Sequence, residues 1–307
     1  MRESFLENPV MRKRKTSRKT SRTLLVVGAL FLLVFWPLGA VALFRGNAMG
    51  FAISLFFSGL QGPFLVGYAF ARAPRKQLWR WFTLVIGGLG ILVFSLIDAV
   101  DLDLHGFFEL IILGTAGAAI GHTMVTTIAG PLIFGRILCG WGCWRAMVLE
   151  RLPGGKGSGR RKGVWNWTPL FGVFLSLAVA AVLALVFDIQ HGGATEYSVW
   201  RVINGVVVYY AAAIAMAMVL RDQRAFCKYL CPTGFVLRWT SRRALLRVSA
   251  RAEACNDCGV CTKVCPMDIP VDERVRMGVH ISQGDCILCQ RCVECCPTKA
   301  LKTSFTR

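Results

Sequence analysis

Charged residues are scarce in this 307-residue chain, and acidic residues are the scarcer kind. Only 17% of the residues are charged, against about a quarter in an average soluble domain. The chain therefore does not lie mostly in water. Its 36 Lys and Arg against 17 Asp and Glu give a net charge of +19, which in a soluble protein would suggest nucleic acid. Here the positive charge lies between long apolar segments, so membrane topology explains it better and we expect no nucleic-acid partner.

Histidine is also rare, with four residues, and only His122 falls within an apolar segment. A b-type haem held by two membrane histidines is therefore excluded. An ionisable group inside a membrane is a functional candidate by default, and His122 could hydrogen-bond a quinone or relay a proton. The alternative is a neutral histidine that bonds a backbone carbonyl.

Six apolar segments are long enough to span a bilayer, at about 20 residues each. They lie near residues 23–44, 50–71, 79–99, 107–134, 167–187 and 202–220. Lys and Arg are frequent in every second connecting region, with 8 in the tail 1–22, 4 in 72–80, 7 in 135–165 and 15 after 220. The three loops between these regions contain one, none and one. This alternation is the positive-inside pattern. It predicts a multi-pass protein of a bacterial or archaeal cytoplasmic membrane, with both termini in the cytoplasm.

Thirteen cysteines are present, and eight of them form two near-identical runs. The runs are Cys255-x2-Cys258-x2-Cys261-x3-Cys265-Pro266 and Cys286-x2-Cys289-x2-Cys292-x3-Cys296-Pro297. This is the spacing of bacterial ferredoxins with two [4Fe–4S] clusters, in which each run lends its fourth cysteine to the other cluster. A zinc site would stop at four ligands, and a disulfide framework needs an oxidising compartment.

The spacing thus predicts two cluster sites. The first site consists of Cys255, Cys258, Cys261 and Cys296, and the second site of Cys265, Cys286, Cys289 and Cys292. Cys295 is an extra thiol without an assignment. No catalytic residue accompanies the runs, so the predicted chemistry is one-electron transfer.

The remaining four cysteines form two paired-cysteine motifs, Cys139-x3-Cys143 and Cys227-x3-Cys231-Pro232. The two motifs can be aligned on their first cysteines. They then share an arginine three residues earlier, both thiols and a trailing apolar triplet, which indicates an internal repeat. The i, i+4 spacing predicts both sulfurs of a pair on one face of a helical turn. Either the four thiols form a further redox or metal site at the membrane face, or they are small apolar packing residues.

The predicted fold is an all-α membrane bundle with a small C-terminal α+β ferredoxin-like module. A basic tail over 1–22, solvated or bound to lipid headgroups, precedes a six-helix transmembrane domain over 23–220. Residues 221–253 contain the second paired-cysteine motif and a basic amphipathic helix, expected over 233–253 on the inner leaflet. Residues 254–307 form the module with two [4Fe–4S] clusters.

The chain resembles the NapH-type membrane ferredoxins, a group that includes MauN and the membrane portions of NosR- and CcoG-like proteins. The resemblance covers roughly residues 107–300 and rests on the two cysteine runs and on Cys227, Cys231 and Pro232. The first motif departs, with Trp144 where the family has proline. The resemblance implies electron transfer between the quinone pool or cytoplasmic donors and a periplasmic oxidoreductase, or assistance with its maturation.

The predicted function is that of a membrane-bound iron–sulfur electron-transfer protein, without a catalytic site of its own. Its expected partners are membrane lipids, quinone or quinol, and a partner oxidoreductase or ferredoxin subunit. The first alternative is an assembly or regulatory factor for a periplasmic metalloenzyme that uses its clusters as reductant or sensor. A transporter with a redox sensor ranks last, because transporters need polar residues at mid-membrane and only His122 obviously qualifies.

Overall fold

The computed structural model describes residues 61–71, 73–97, 104–112, 124–153, 155, 159–161, 163–183, 195–281 and 284–305, and the single positions 37, 40, 41 and 44. His122 and most of the predicted segment 23–44 lie outside the described residues. The described chain is mostly helical. It divides into two compact units, which contain residues 1–94 with 141–147, and 95–140 with 148–307.

The regular elements are numbered here in chain order. The α-helices are α1 (Gln61–Phe70), α2 (Ala73–Ile97), α3 (Leu104–Ile112), α4 (Gly130–Phe134), α5 (Ile137–Trp141), α6 (Trp144–Leu149), α7 (Thr168–Leu183), α8 (Thr195–Val219), α9 (Ala225–Tyr229), α10 (Pro232–Thr240), α11 (Val260–Lys263), α12 (Val271–Arg276) and α13 (Arg291–Cys295). The strands are β1 (Leu246–Ala250) and β2 (Leu301–Phe305). A π-helical turn over Met124–Ala129 leads into α4.

Aromatic side chains hold the first unit together. Tyr68 of α1 packs edge-on against Trp141, with ring centroids 4.9 Å apart. The indole N–H of Trp81, in α2, donates to the backbone carbonyl of Met147 at 3.1 Å. A partly buried indole gains from such an acceptor, because an unpaired N–H away from water is costly. These contacts fix the segment 141–147 against α1 and α2.

Apolar helices form one part of the second unit, where α3 packs against α7. Within the described residues, one stretch, Val202–Val219 of α8, is long and apolar enough to cross a membrane. The pair Thr126–Phe134 and Ile137–Leu149, bent by 85°, would be a second if it were one span, and the apolar helix Thr168–Val182 is shorter. The six-helix bundle therefore stays a prediction.

The C-terminal module of the second unit is built around a two-stranded antiparallel sheet. β1 pairs with β2 in a register that places Val248 opposite Thr303. Val248 is buried with Met267, Val271 and Ile281 in a core that also contains four cysteines of the two runs. The sheet thus closes a small apolar core against which the cysteine loops pack.

The helix predicted over 233–253 ends early, and that prediction is wrong beyond residue 240. α10 ends at Thr240, a 3-10 turn covers Ser241–Arg243, and β1 follows. Val248 accepts a backbone hydrogen bond from Ile281 at 2.9 Å in addition to its pairing with β2. Such partners distant in sequence override local helix preference. β1 therefore belongs to the module that was predicted to begin at residue 254.

Candidate iron–sulfur sites

The cysteines of the first site surround one cavity. Cys255, Cys258, Cys261 and Cys296 all line it. Cys258 is exposed, whereas Cys296 is buried. Burial raises the pKa of Cys261, and the neighbouring thiols of Cys258 and Cys296 add to the rise. The fourth thiol from the second run thus lies with the first three, as the crossed spacing requires.

Left-handed backbone at matched positions shapes both cysteine runs. The residue before the second cysteine has positive φ in each run, at Asp257 (51°) and Leu288 (52°). The residue after that cysteine repeats the pattern, at Gly259 (65°) and Gln290 (64°). A bulky residue such as Leu288 rarely adopts this conformation, and strained backbone of this kind concentrates at functional sites. The two loops therefore share one local backbone conformation around their second cysteines.

The cysteines of the second site lie in the apolar core. Cys265, Cys289 and Cys292 are buried, and Cys286 is half-buried. Burial raises the pKa of Cys286 to about 12, and the thiols of Cys289 and Cys265 add to the rise. Burial, followed by Cys286, Cys289 and Cys265, also raises the pKa of Cys292 well above its usual value. Four thiolates here need a compensating positive charge, which iron would supply.

The donor sets of both sites fit a [4Fe–4S] cluster. Each set contains four thiols, the ligand type that holds such clusters. Among the described residues, no three His, Cys, Asp or Glu side chains are arranged around a single metal ion. Cys295 is buried, and its thiol donates to the Cys292 carbonyl at 3.4 Å.

The second paired-cysteine motif does not place both sulfurs on one helical turn. Cys227 lies in α9, whereas Cys231 has extended backbone (φ −60°, ψ 113°) and caps α10. The Cys231 sulfur accepts the N–H of Gly234 at 3.2 Å. Pro232 explains the break, because proline disfavours helical backbone in the residue before it. The predicted shared helical face is therefore wrong here.

The first paired-cysteine motif is broken in a similar way. Cys139 lies in α5, and Cys143 lies between α5 and α6, outside both helices. Cys139 packs against the apolar core of the C-terminal module. Cys143 belongs to the first unit, whereas Cys139, Cys227 and Cys231 belong to the second.

Two buried arginines link the motifs of the second unit. Arg224, which is 1% exposed, donates from Nη1 to the Cys139 carbonyl at 3.2 Å and contacts the Cys227 sulfur at 3.9 Å. Burial disfavours the charge of Arg136, but Cys139, Asp285 and Cys231 outweigh it, so that the pKa of Arg136 lies above its ordinary value. Each arginine therefore interacts with both motifs and brings three cysteines into one electrostatic environment.

The first motif is also docked against the second site. Gly140 lies so close to the Ile287 carbonyl that a Cβ could not fit, and the Cys289 nitrogen would be 3.7 Å from it. Arg136 donates to the Gly284 carbonyl at 3.2 Å, just before the second run. α5 and the loop that carries Cys286 and Cys289 are therefore in direct contact.

Buried ion pairs tie the second motif to the same module. Lys228 is fully buried, and its Nζ contacts Asp222 at 2.6 Å and Asp268, after Cys265, at 2.5 Å. Glu150 pairs with Arg224 and also, at 3.6 Å, with Arg291 beside Cys292. Buried pairs of this kind are costly to break. Sequence reasoning missed this network, although the shared arginine of the two motifs was a signal.

Two family models match the chain. A 4Fe-4S dicluster domain matches residues 254–301, and a 4Fe-4S binding domain matches residues 117–157 and 204–249. The second model thus matches once over each paired-cysteine motif. The predicted C-terminal 4Fe–4S ferredoxin-like domain is confirmed.

Relatives point to the same family. The MauN methylamine utilization ferredoxin-type protein of Methylorubrum extorquens is 28% identical over 205 residues, 62% of this chain and 69% of that protein. The ferredoxin-type protein NapH of Escherichia coli is 30% identical over 95 residues, 28% of this chain and 32% of that protein. The chain is a homologue of the NapH- and MauN-type ferredoxin-type proteins. The family predicted from the sequence is therefore confirmed.

A further relative of the chain is named for electron transport. YccM of Escherichia coli, a putative electron transport protein by name, is 29% identical over 196 residues, 59% of this chain. The match spans 54% of the length of YccM. No solved structure matches the chain significantly. Iron–sulfur electron transfer is the function that these matches support.

Proposed function

We propose that this protein passes electrons through two [4Fe–4S] clusters, one at the first site and one at the second. The observation that carries the proposal is that the fourth thiol of each run lies near the cysteines of the other run. Cys296 lines the cavity of the first run, and Cys265 acts electrostatically on Cys286 and Cys292 of the second. When bound, the clusters supply one-electron redox chemistry.

The residues of the chain hold the clusters and control access to them. The left-handed loops orient the thiols, and the N–H of Leu288 acts on the Cys286 sulfur. The apolar core excludes water from the second site, whereas exposed Cys258 leaves the first site open to a redox partner. Hydrogen bonds, charge and exposure are the properties by which a protein sets cluster potentials.

The clusters lie, in this proposal, at the cytoplasmic face of a six-helix membrane domain. The apolar stretch Val202–Val219 supports a membrane location. So do exposed apolar side chains on α7 and α8, such as Phe171, Phe174, Val208 and Val219 at 60% exposure or more. Apolar surface of this extent needs a nonpolar partner, and lipid would provide it. The alternating loop charge supports cytoplasmic termini.

At the membrane, electrons would be exchanged with the quinone pool or a cytoplasmic donor and a partner oxidoreductase. His122 stays the candidate for hydrogen bonding to quinone. Cys139, Cys143, Cys227 and Cys231 stay candidates for a further redox or metal site. The contacts of Arg136 and Arg224 with three of these cysteines support this role, as do the two matches to a 4Fe-4S binding domain.

Iron and sulfide quantitation with anaerobic EPR on the purified protein tests the proposal. Two clusters require about eight irons per chain. The comparison is a variant with alanine at Cys139, Cys143, Cys227 and Cys231. Eight irons in both proteins would leave the paired cysteines without a cluster, and a higher count that falls to eight in the variant would identify a third centre. Four irons or fewer in the native protein would contradict the proposal.

A further inference from the structure

We propose that charged residues around the two sites direct electrons from the first cluster to the second, because they make the second cluster the easier one to reduce. This inference rests on the proposed function and adds a direction to it. The step moves one electron: the reduced first cluster is oxidised, the second cluster is reduced, and no bond or proton changes.

Two carboxylates that share one cation lie beside the first site. Asp272 lines its cavity, and its carboxylate acts on the thiol of Cys261. Asp257 lies in the first cysteine loop. The two carboxylates share Arg276, which lies 3.4 Å from Asp272 and 3.9 Å from Asp257. Two acidic side chains thus face a single exposed cation, and an added electron at this site is repelled.

The second site has an excess of positive charge. Asp285, which directly precedes Cys286, is contacted by Arg160 at 2.7 Å, Arg238 at 3.4 Å and Arg136 at 3.8 Å. Three guanidinium groups therefore face one carboxylate. The positive charge reaches the cluster ligands, because Arg136 acts directly on the thiol of Cys286.

Two further ion groups near the second site offset each other. Arg224 and Arg291 share Glu150, which leaves one positive charge. Asp222 and Asp268 share Lys228, which leaves one negative charge. Of these three ion groups, the one around Asp285 therefore has the largest net charge.

Burial of the second site acts in the opposite direction, since a low dielectric disfavours an added negative charge. The same low dielectric, however, strengthens the attraction of a charge that is itself buried. Arg136 is 2% exposed, so water and salt screen it little. Its attraction and that of Arg160 and Arg238 therefore favour reduction of the second cluster.

The direction agrees with the surroundings of each site. Cys258 exposes the first site to a donor in solution, whereas the second site contacts α5 and Gly140. Electrons would enter at the exposed cluster and move toward the paired-cysteine motifs.

Potentiometric EPR titration of the full-length protein tests the direction. A Cys258→Ser variant assigns the signal of the first cluster. We expect the second cluster to have the higher potential. In an Arg160→Gln/Arg238→Gln variant, we expect the ratio of reduced to oxidised second cluster at a fixed potential to fall at least tenfold. For a one-electron step this equals a drop of about 59 mV in the reduction potential of that cluster. Asp272→Asn should raise the potential of the first cluster, and Arg243→Gln, at an exposed arginine, should change neither.

The result separates this inference from the proposed function. The direction would be refuted if the first cluster had the higher potential, or if the double arginine variant left the potential of the second cluster unchanged. Either result would still show that both clusters are present. If the native protein contained no cluster, the proposed function itself would fail.

Discussion

Arg224 and Cys139 belong to different copies of the repeated motif, yet the Arg224 guanidinium donates to the Cys139 carbonyl at 3.2 Å. The same guanidinium pairs with Glu150 and contacts the Cys227 sulfur. One buried side chain therefore connects α5, the end of α6 and α9.

Replacement of Arg224 by alanine should strongly destabilise the second unit. Glu150 is buried, and loss of one partner of a buried ion pair costs about 3–5 kcal/mol. Arg224→Lys keeps the charge but not the forked geometry, so we expect an intermediate loss. Thermal unfolding of the purified protein measures both. The control is Arg276→Ala, whose exposed ion pairs should contribute at most about 1 kcal/mol. An equal loss of stability in Arg224→Ala and in this control would contradict the role of Arg224.

The crossed assignment of the fourth cysteines predicts which cluster each variant loses. Cys265→Ser should disturb the EPR signal of the second cluster, although Cys265 lies in the first run. Cys296→Ser should disturb that of the first. Cys295→Ser, which keeps a donor for the Cys292 carbonyl, should leave both signals intact. Loss of the cluster of its own run in either variant would show that the runs do not exchange ligands.

Gly140 should tolerate no side chain. An alanine Cβ would collide with the Ile287 carbonyl, and overpacking of this kind costs about 1–3 kcal/mol. Because the collision pushes α5 away from the loop of the second site, Gly140→Ala should also shorten the lifetime of the second cluster in air. The decay of the visible absorbance of the cluster measures this lifetime.

The control for Gly140 is Gly278→Ala. Gly278 has a φ of 65°, and no atom lies within 4 Å of the position that a Cβ would occupy. Alanine there introduces backbone strain of about 1 kcal/mol but no collision. Equal cluster lifetimes in the two variants would argue against a contact between α5 and the loop.

The left-handed residue of the first cysteine loop offers a direct test of backbone strain. Asp257 has a φ of 51° and an exposed side chain, so its substitution changes little packing. Asp257→Gly should raise the unfolding free energy by up to about 1 kcal/mol, and Asp257→Val should lower it by about 1–2 kcal/mol. Denaturant unfolding measures the difference. A valine variant as stable as the glycine variant would contradict the left-handed conformation.

Local spacing was sufficient to predict which cysteines lie together. Three cysteines two residues apart leave the chain few ways to surround a cluster, and the structure places Cys296 with the first run. The helix predicted after Pro232 was correct only to Thr240, because β1 depends on Ile281 and β2, which lie more than thirty residues later. A single-sequence pattern contains no information about such pairing.

The arginine network could not be predicted either. The repeat aligned Arg136 with Arg224, but their partners differ: the first contacts Gly284 and Asp285, and the second contacts Glu150. Equivalent positions in a repeat diverge when they pack against different neighbours. The shared arginine was visible in the sequence, whereas the acidic partners were determined by tertiary structure.

The exchange of fourth thiols that we propose has a consequence for biosynthesis. Cys261 is translated 35 residues before Cys296, the difference between their positions. At about 5–20 residues per second, the first three thiols wait for seconds before their set is complete. A cluster delivered during that interval would meet three ligands instead of four. We therefore expect iron–sulfur insertion to follow synthesis of both runs, and a ribosome stalled between them to leave thiols that are open to oxidation.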